Sequence, residues 1–183
     1  MQRLADALVV ELAEVGYDQL TVRSVARRAG VAPATAYTYF TSKAHLVSEV
    51  FWRRLLALPD TPADPSRPAA ERAVAAVGAI ARLVADEPGL ASACSPALLG
   101  PEAEVHVLRD RIGAEIHRRL AAAVIGDGVT HAATHDSDAD DVVEALDYLV
   151  AGSLLHAGMG HMAYGDLVDR LGTLVALVVG DRP

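Results

Sequence analysis

The small and hydroxyl-bearing side chains that follow Pro33 are the clearest candidates for chemistry in this sequence. A short helix beginning there would carry three of them on its outer side, at Ala34, Thr35 and Thr38. Such side chains let a helix backbone approach base edges, and a threonine can hydrogen-bond a base or contact a thymine methyl group. Tyr37 and Tyr39 supply phenol hydroxyls that can bind the flanking phosphates. The pattern predicts a helix that reads double-stranded DNA.

A sharp turn must project that helix into the major groove, and the residues around it provide one. Thr21 precedes apolar residues at helical spacing, which predicts the N-cap of a short preceding helix. Gly30 ends that helix, and Pro33 is tolerated in the first turn of the next one. Lys43 begins a further helix, where its ammonium group and the helix N-terminus together favour a phosphate. The stretch is therefore interpreted as a helix-turn-helix.

The same stretch resembles the tetracycline-repressor (TetR) family over about residues 3–56. The matching positions are Leu20-Thr21-Val22, Ala29-Gly30-Val31, Thr35, Tyr37, Tyr39-Phe40 and Ser42-Lys43. The resemblance implies that nine residues lie at or near DNA: Thr21, Arg23, Pro33, Ala34, Thr35, Tyr37, Thr38, Tyr39 and Lys43. Two departures stand out. Ala36 occupies a position where the family usually has a larger apolar residue, which predicts a looser helix, and the basic extension common before Arg3 is missing or short.

Other residues of this stretch have competing interpretations. Phe40 is expected in the core, whereas Tyr37 and Tyr39 are expected to contact phosphates. Arg27 and Arg28 are equally consistent with a solvated helix face and with a role in DNA binding.

The charge of the chain is unevenly distributed along its length. The net charge is −8, which taken alone disfavours nucleic-acid binding. However, residues 1–58 hold seven basic and five acidic side chains, a net charge of +2, and the remainder holds nine and nineteen, a net charge of −10. A basic DNA-binding segment followed by an acidic remainder would direct DNA to the N-terminal part of the chain.

The predicted fold is all-α, with about nine helices. Apolar residues make up 52% and aromatic residues only 4%, which favours packed helices. Four prolines between positions 59 and 68 predict a boundary between a three-helix helix-turn-helix domain over residues 1–58 and a helical ligand-binding and dimerisation domain over residues 59–183. Predicted helices span about 33–40, 43–58, 68–86, a short piece of 89–101, 102–125, 139–162 and 164–179, with a loop at 126–138.

The C-terminal helices predict a binding site for a small molecule and a homodimer. They present mainly Leu, Val, Ile and Ala, which favours an apolar, uncharged or weakly anionic ligand. Glu115 and Glu144 are expected to be solvated. The apolar stripe of the final helix is too wide for packing on one side, so the last two helices are expected to pair with a second copy. Five residues are the candidates for lining the ligand site: Trp52, Cys94, His106, Arg109 and His156.

These features together predict a cytoplasmic, ligand-responsive repressor without a cofactor. The ligand would favour a conformation whose two DNA readers are wrongly spaced, and the helix from Lys43 would transmit the change. No membrane span and no signal peptide are expected, since the sequence has no long apolar segment, and the single cysteine, Cys94, excludes an intrachain disulfide.

Two other classes of function stay open. The i, i+4 pair His131 and His135, followed by several aspartates, suggests a metal-dependent enzyme, although the flanking glycines favour a solvated loop. No catalytic motif accompanies the pair, so an enzyme and a bound metal are not expected. A helical interaction module without DNA binding is the other alternative.

Overall fold

The computed structural model describes residues 1–60, 64, 66–126 and 137–180, and every regular element in these ranges is helical. The nine α-helices are α1 Gln2–Gln19, α2 Val22–Arg28, α3 Pro33–Tyr39, α4 Lys43–Ala57, α5 Ala69–Asp86, α6 Pro88–Leu98, α7 Ala103–Val124, α8 Ser137–Gly158 and α9 Leu167–Val179, with a 3₁₀ turn at Tyr164–Asp166. The predicted all-α fold with about nine helices is confirmed for the described residues.

The helices form two compact packing units. One contains residues 1–57 and 87–112, and the other contains residues 58–86 and the described residues from 113 onward. The first unit therefore includes α6 and the first half of α7 in addition to α1–α4. The predicted boundary between residues 58 and 59, which divides the chain by function, stays a prediction.

The first unit is built around the apolar stripe of α1. Leu4, Leu8 and Leu12 recur at helical spacing, are buried, and pack with apolar residues of α2, α3, α4 and α6. The helix bends at Gly16, whose φ of 71° is accessible to glycine and rarely to other residues, and one further turn follows to Gln19. The helix thus ends three residues beyond the bend.

The second unit is held by α5, α8 and α9. One face of α9, consisting of Leu167, Leu171 and Val175, is buried in this unit. Arg72 of α5 donates from Nε to the carbonyl oxygen of Ala123 and from Nη2 to that of Val124, at 2.8 and 3.1 Å, so it caps the C-terminal end of α7. None of the helices described is long and apolar enough to cross a bilayer.

Glu115 on α7 differs from its predicted environment. Its side chain is only 11% exposed, and it accepts hydrogen bonds from Arg118 and Arg119 at 2.7 Å each. The hydrogen bond from Arg118 is the largest cause that holds the pKa of Glu115 below its usual value. The expectation of a solvated Glu115 was wrong, because two arginines one helical turn away compensate its burial. Glu144 is exposed, as expected.

Candidate nucleic-acid interface

Helix α2 begins at a capping box formed by Thr21 and Ser24. Thr21 Oγ1 accepts a hydrogen bond from the Ser24 backbone N–H at 2.9 Å, and Ser24 Oγ accepts one from the Thr21 N–H at 3.3 Å. The two side chains therefore satisfy N–H groups that the first turn of a helix leaves without partners. The prediction of Thr21 as N-cap is confirmed.

The turn between α2 and α3 depends on Gly30. Its φ is 65°, and the Val31 and Gly30 N–H groups donate to the carbonyl oxygens of Ala26 and Arg27 at 2.9 and 3.1 Å. This double hydrogen bond is the Schellman motif, in which the residue of positive φ is usually glycine. Pro33 then occupies the first turn of α3, where no intrahelical N–H bond is required.

Helix α3 is attached to the core by two residues and is otherwise accessible. Ala36 is completely buried and Phe40, which follows the helix, is 2% exposed, as expected of a core residue. Ala36 therefore serves as a core residue despite its small size. The predicted DNA-contacting side chains lie on the other sides of the helix: Ala34, Thr35, Tyr37, Thr38 and Tyr39 are all exposed.

The hydroxyl groups of α3 are arranged so that a base or a phosphate can reach them. Tyr37 is 50% exposed and Tyr39 is 64% exposed. Thr38 Oγ1 donates to the carbonyl oxygen of Ala34 at 3.1 Å, which leaves its acceptor lone pairs and its methyl group available. The resulting surface combines small groups, hydroxyls and phenols, the chemistry needed for major-groove readout flanked by phosphate contacts.

Arg28 is held by carboxylates of α1. Its guanidinium group binds Glu11 and Glu14, and its hydrogen bond to Glu11 is the largest cause that holds the pKa of Glu11 below its usual value. Arg28 therefore fastens α2 to α1, although it is exposed like Arg23 and Arg27. Both interpretations of the Arg27-Arg28 pair stay open, because both residues are exposed.

Lys43 makes contacts that the sequence did not predict. Its Nζ donates to the carbonyl oxygens of Tyr17 and Asp18 at 2.8 and 3.0 Å and lies 4.5 Å from the centroid of the Tyr17 ring. The ammonium group therefore caps the C-terminal end of α1, where carbonyl groups lack intrahelical donors. No local signal could have revealed this contact, because the partners are 25 and 26 residues away. The phosphate contact of Lys43 stays a prediction.

Comparison with known proteins identifies the family. Residues 4–50 match the family model described as "Bacterial regulatory proteins, tetR family". An uncharacterized HTH-type transcriptional regulator of Mycobacterium tuberculosis is 42% identical over 180 residues, which cover 97% of this chain and 79% of that protein. The chain belongs to the TetR family. It is thus a transcriptional regulator with a DNA-binding helix-turn-helix.

More distant relatives are consistent with this assignment. The HTH-type transcriptional repressor KstR of Rhodococcus jostii is 26% identical over 98% of this chain and 82% of that protein. The crystal structure of the transcriptional regulator FadR of Bacillus subtilis, in complex with stearoyl-CoA, superimposes with a TM-score of 0.64 at 20% identity, over 100% of this chain and 99% of that one. This structural similarity shows that the TetR-family fold extends through the C-terminal helices.

The candidate ligand residues of this TetR-family regulator lie in different environments. In the first unit Cys94 is buried, and burial raises the pKa of its thiol to about 12, so it is no reactive thiolate. Trp52 is half-buried, whereas His106 and Arg109 are exposed on α7. His156 is exposed on α8, in the second unit. Their role in ligand binding stays a prediction.

The metal-binding alternative rested on residues that the structure does not cover. His131, His135 and Asp136 lie outside the described residues. Within the described ranges, no three side chains of His, Cys, Asp or Glu converge in a way that could hold a metal ion.

Proposed function

We propose that this protein is a homodimeric, cytoplasmic repressor that binds a palindromic operator through α3 and leaves it when a small apolar molecule binds. The observation that carries the proposal is the exposed face of α3. Thr35 and Thr38 are accessible on a helix whose opposite side is fixed by the buried Ala36 and Phe40. A rigidly attached helix with accessible hydroxyls and small side chains suits base readout. The similarity to a repressor, KstR, supports the direction of regulation.

Each predicted contact has a distinct task in this proposal. Thr35 and Thr38 read base edges, and Ala34 allows close approach of the helix backbone. Tyr37 and Tyr39 bind phosphates on either side of the groove. At the start of α2 and α3, Thr21, Arg23 and Pro33 lie near the sugar-phosphate backbone of the DNA. Lys43 adds a phosphate contact only if its ammonium group also reaches beyond the carbonyl oxygens of α1.

The dimer is proposed to form through the outer faces of α8 and α9. The inner face of α9 packs within its own unit, yet Leu174 and Leu177 remain 40% and 76% exposed. On α8 Tyr148 and Leu155 are 70% and 48% exposed, and the exposed Gly152 between them permits close approach of another helix. Large exposed apolar side chains on two neighbouring helices favour a second copy as their partner, because a palindromic operator requires two-fold symmetry.

The coupling between ligand and DNA is proposed to pass through the start of α4. Glu102, immediately before α7, is hydrogen-bonded by Ser42, which is the largest cause that holds the pKa of Glu102 below its usual value. Ser42 also caps α4, since its Oγ accepts the His45 N–H at 3.0 Å. A displacement of the α6–α7 turn would therefore move the N-terminal end of α4, the helix that directly follows the DNA reader.

The ligand is proposed to be mainly apolar, and the stearoyl-CoA complex of FadR supports a molecule with a long hydrocarbon chain. Binding would lower operator affinity by the difference in its affinity for the two conformations, typically about 1–3 kcal/mol. Stearic acid and stearoyl-CoA are therefore suitable first probes. Each should reduce binding of operator DNA by the same factor by which operator DNA reduces binding of the probe.

The test of DNA readout begins with selection of bound genomic fragments by the purified protein. A palindromic consensus is expected, and Thr38→Ala should relax the preference at one base position of each half-site. Ser92→Ala is the control, because Ser92 is also exposed on a helix, α6, and its hydroxyl also donates to a backbone carbonyl oxygen, that of Gly89, at 3.1 Å. The proposed readout would be contradicted if the selected fragments shared no consensus sequence. It would also be contradicted if Thr38→Ala and the wild type had identical base preferences at every position.

A further inference from the structure

The C-terminal end of α8 brings two histidine side chains together. The rings of His156 and His161 have centroids 5.2 Å apart and are inclined at 51°. Both residues are exposed, so neither imidazole is required by the apolar core. We propose that this pair binds a transition-metal ion that prefers imidazole ligands, such as Cu²⁺ or Zn²⁺.

The backbone fixes the pair in place. The His161 N–H donates to the carbonyl oxygen of His156 at 3.0 Å, and the Gly160 N–H donates to that of Ala157 at 3.0 Å. Gly160 has a φ of 78°. These are the two hydrogen bonds and the left-handed residue of a Schellman motif, in which the residues at the positions of His156 and His161 usually make a hydrophobic contact. Here the two positions hold the commonest metal-binding side chain instead.

The separation of the rings suits one shared ion. Metal–nitrogen bonds of about 2.0–2.1 Å with tetrahedral geometry place the centroids of two imidazoles roughly 5 Å apart. The pair also lies at the C-terminal end of a 22-residue helix, where the aligned peptide dipoles give a partial negative charge that favours a cation. Two protein nitrogens leave the remaining coordination positions to water, so the site is expected to exchange its metal. Within the series of divalent ions, Cu²⁺ should bind most tightly.

Metal binding would connect α8 to the segment that leads into α9. His156 belongs to the last turn of α8, and His161 precedes the 3₁₀ turn Tyr164–Asp166. An ion shared by both would stabilise this connection in the folded state, because the unfolded chain does not preform the pair. The thermal midpoint of unfolding should therefore rise with metal concentration.

The test is titration of the full-length protein with Cu²⁺ and with Zn²⁺, followed by calorimetry and, for Cu²⁺, electron paramagnetic resonance. One ion per chain and a spectrum of two nitrogen ligands are expected. His156→Gln and His161→Gln should each lower the affinity at least about tenfold and remove the metal-dependent rise in the thermal midpoint. His106→Gln, which alters a single exposed histidine on α7, should bind the metal as the wild type does.

A second pair of variants tests the role of the turn without touching either imidazole. Gly160→Asn should keep the affinity, because asparagine tolerates a positive φ, whereas Gly160→Val should lower it. The proposal is overturned if the metal stays bound in the His156→Gln and His161→Gln variants. It is equally overturned if the double variant His131→Gln and His135→Gln abolishes binding, since the ion would then belong to that other pair.

Discussion

At the scale of single residues, Lys43 has one observed role, the capping of α1, and one proposed role, a phosphate contact. Its Nζ binds two carbonyl oxygens at the end of α1, so Lys43→Met should leave both without their donor while keeping the aliphatic stem. We expect the free energy of unfolding to fall by about 1 kcal/mol, less than the roughly 1.5–3 kcal/mol typical of hydrogen bonds to charged groups, because the site is half-exposed. Urea denaturation measures this change.

Two further measurements complete the test of Lys43. Tyr17→Phe is the matched control, because it keeps the ring and the backbone carbonyl and should leave the stability unchanged. The proposed phosphate contact is tested separately in the Lys43→Met variant: the slope of log K against log salt should decrease by about one. Unchanged stability would contradict the capping role, and an unchanged slope would contradict the phosphate contact.

At the scale of secondary-structure elements, the ion pairs of Arg28 fasten α2 to α1. Because Arg28 holds the pKa of Glu11 below its usual value of 4.5, the folded state favours ionised Glu11. This contribution to stability is fully present above pH 4.5 and is lost as the pH falls through the lowered pKa. Glu11→Gln should therefore be less stable than the wild type at neutral pH, and the difference should shrink in acid, as the pH falls through the lowered pKa of Glu11.

Asp6→Asn provides the comparison for Glu11, since Asp6 is an exposed carboxylate on the same helix whose contact is to the nearby Gln2. It should have little effect on unfolding at neutral or acidic pH. A Glu11→Gln variant with the stability of the wild type at pH 7 would show that the ion pairs do not hold α2 in place.

At the scale of the whole molecule, the proposed homodimer depends on the exposed outer face of α9. Leu177 is 76% exposed in the second unit. Leu99 in the first unit is similarly exposed, at 73%, and therefore serves as the control position. Leu177→Glu should raise the dimer dissociation constant on the order of 100-fold, because a charge would be buried at a cost of about 3 kcal/mol. Leu99→Glu should remain dimeric. Light scattering at micromolar concentration distinguishes the two variants.

The same variant links assembly to function. If two readers must bind one palindrome, a monomeric Leu177→Glu protein should lose much more affinity for the full operator than for a half-site. Full operator affinity in a monomer would contradict the two-fold dimer, and so would a Leu177→Glu protein that stays dimeric.

The sequence by itself determined the helices and the location of the DNA reader. The signals were local: the Thr21 cap, the Gly30 turn, Pro33 in a first turn, and apolar residues at helical spacing. Such signals act within one or two turns, so they predict where a helix begins and which side of α3 is attached. The exposure of Thr35, Thr38 and both tyrosines of α3 followed from the same spacing.

Only the tertiary structure decided which charged groups meet and which apolar faces are covered. Lys43 reaches carbonyl oxygens 25 and 26 residues away, and Arg28 binds carboxylates 14 and 17 residues away. The apolar stripe of α9 was visible in the sequence, but its division into a buried face at Leu171 and an exposed one at Leu177 was not. These outcomes depend on how separate helices pack, and the periodicity of a single helix contains no information about its neighbours.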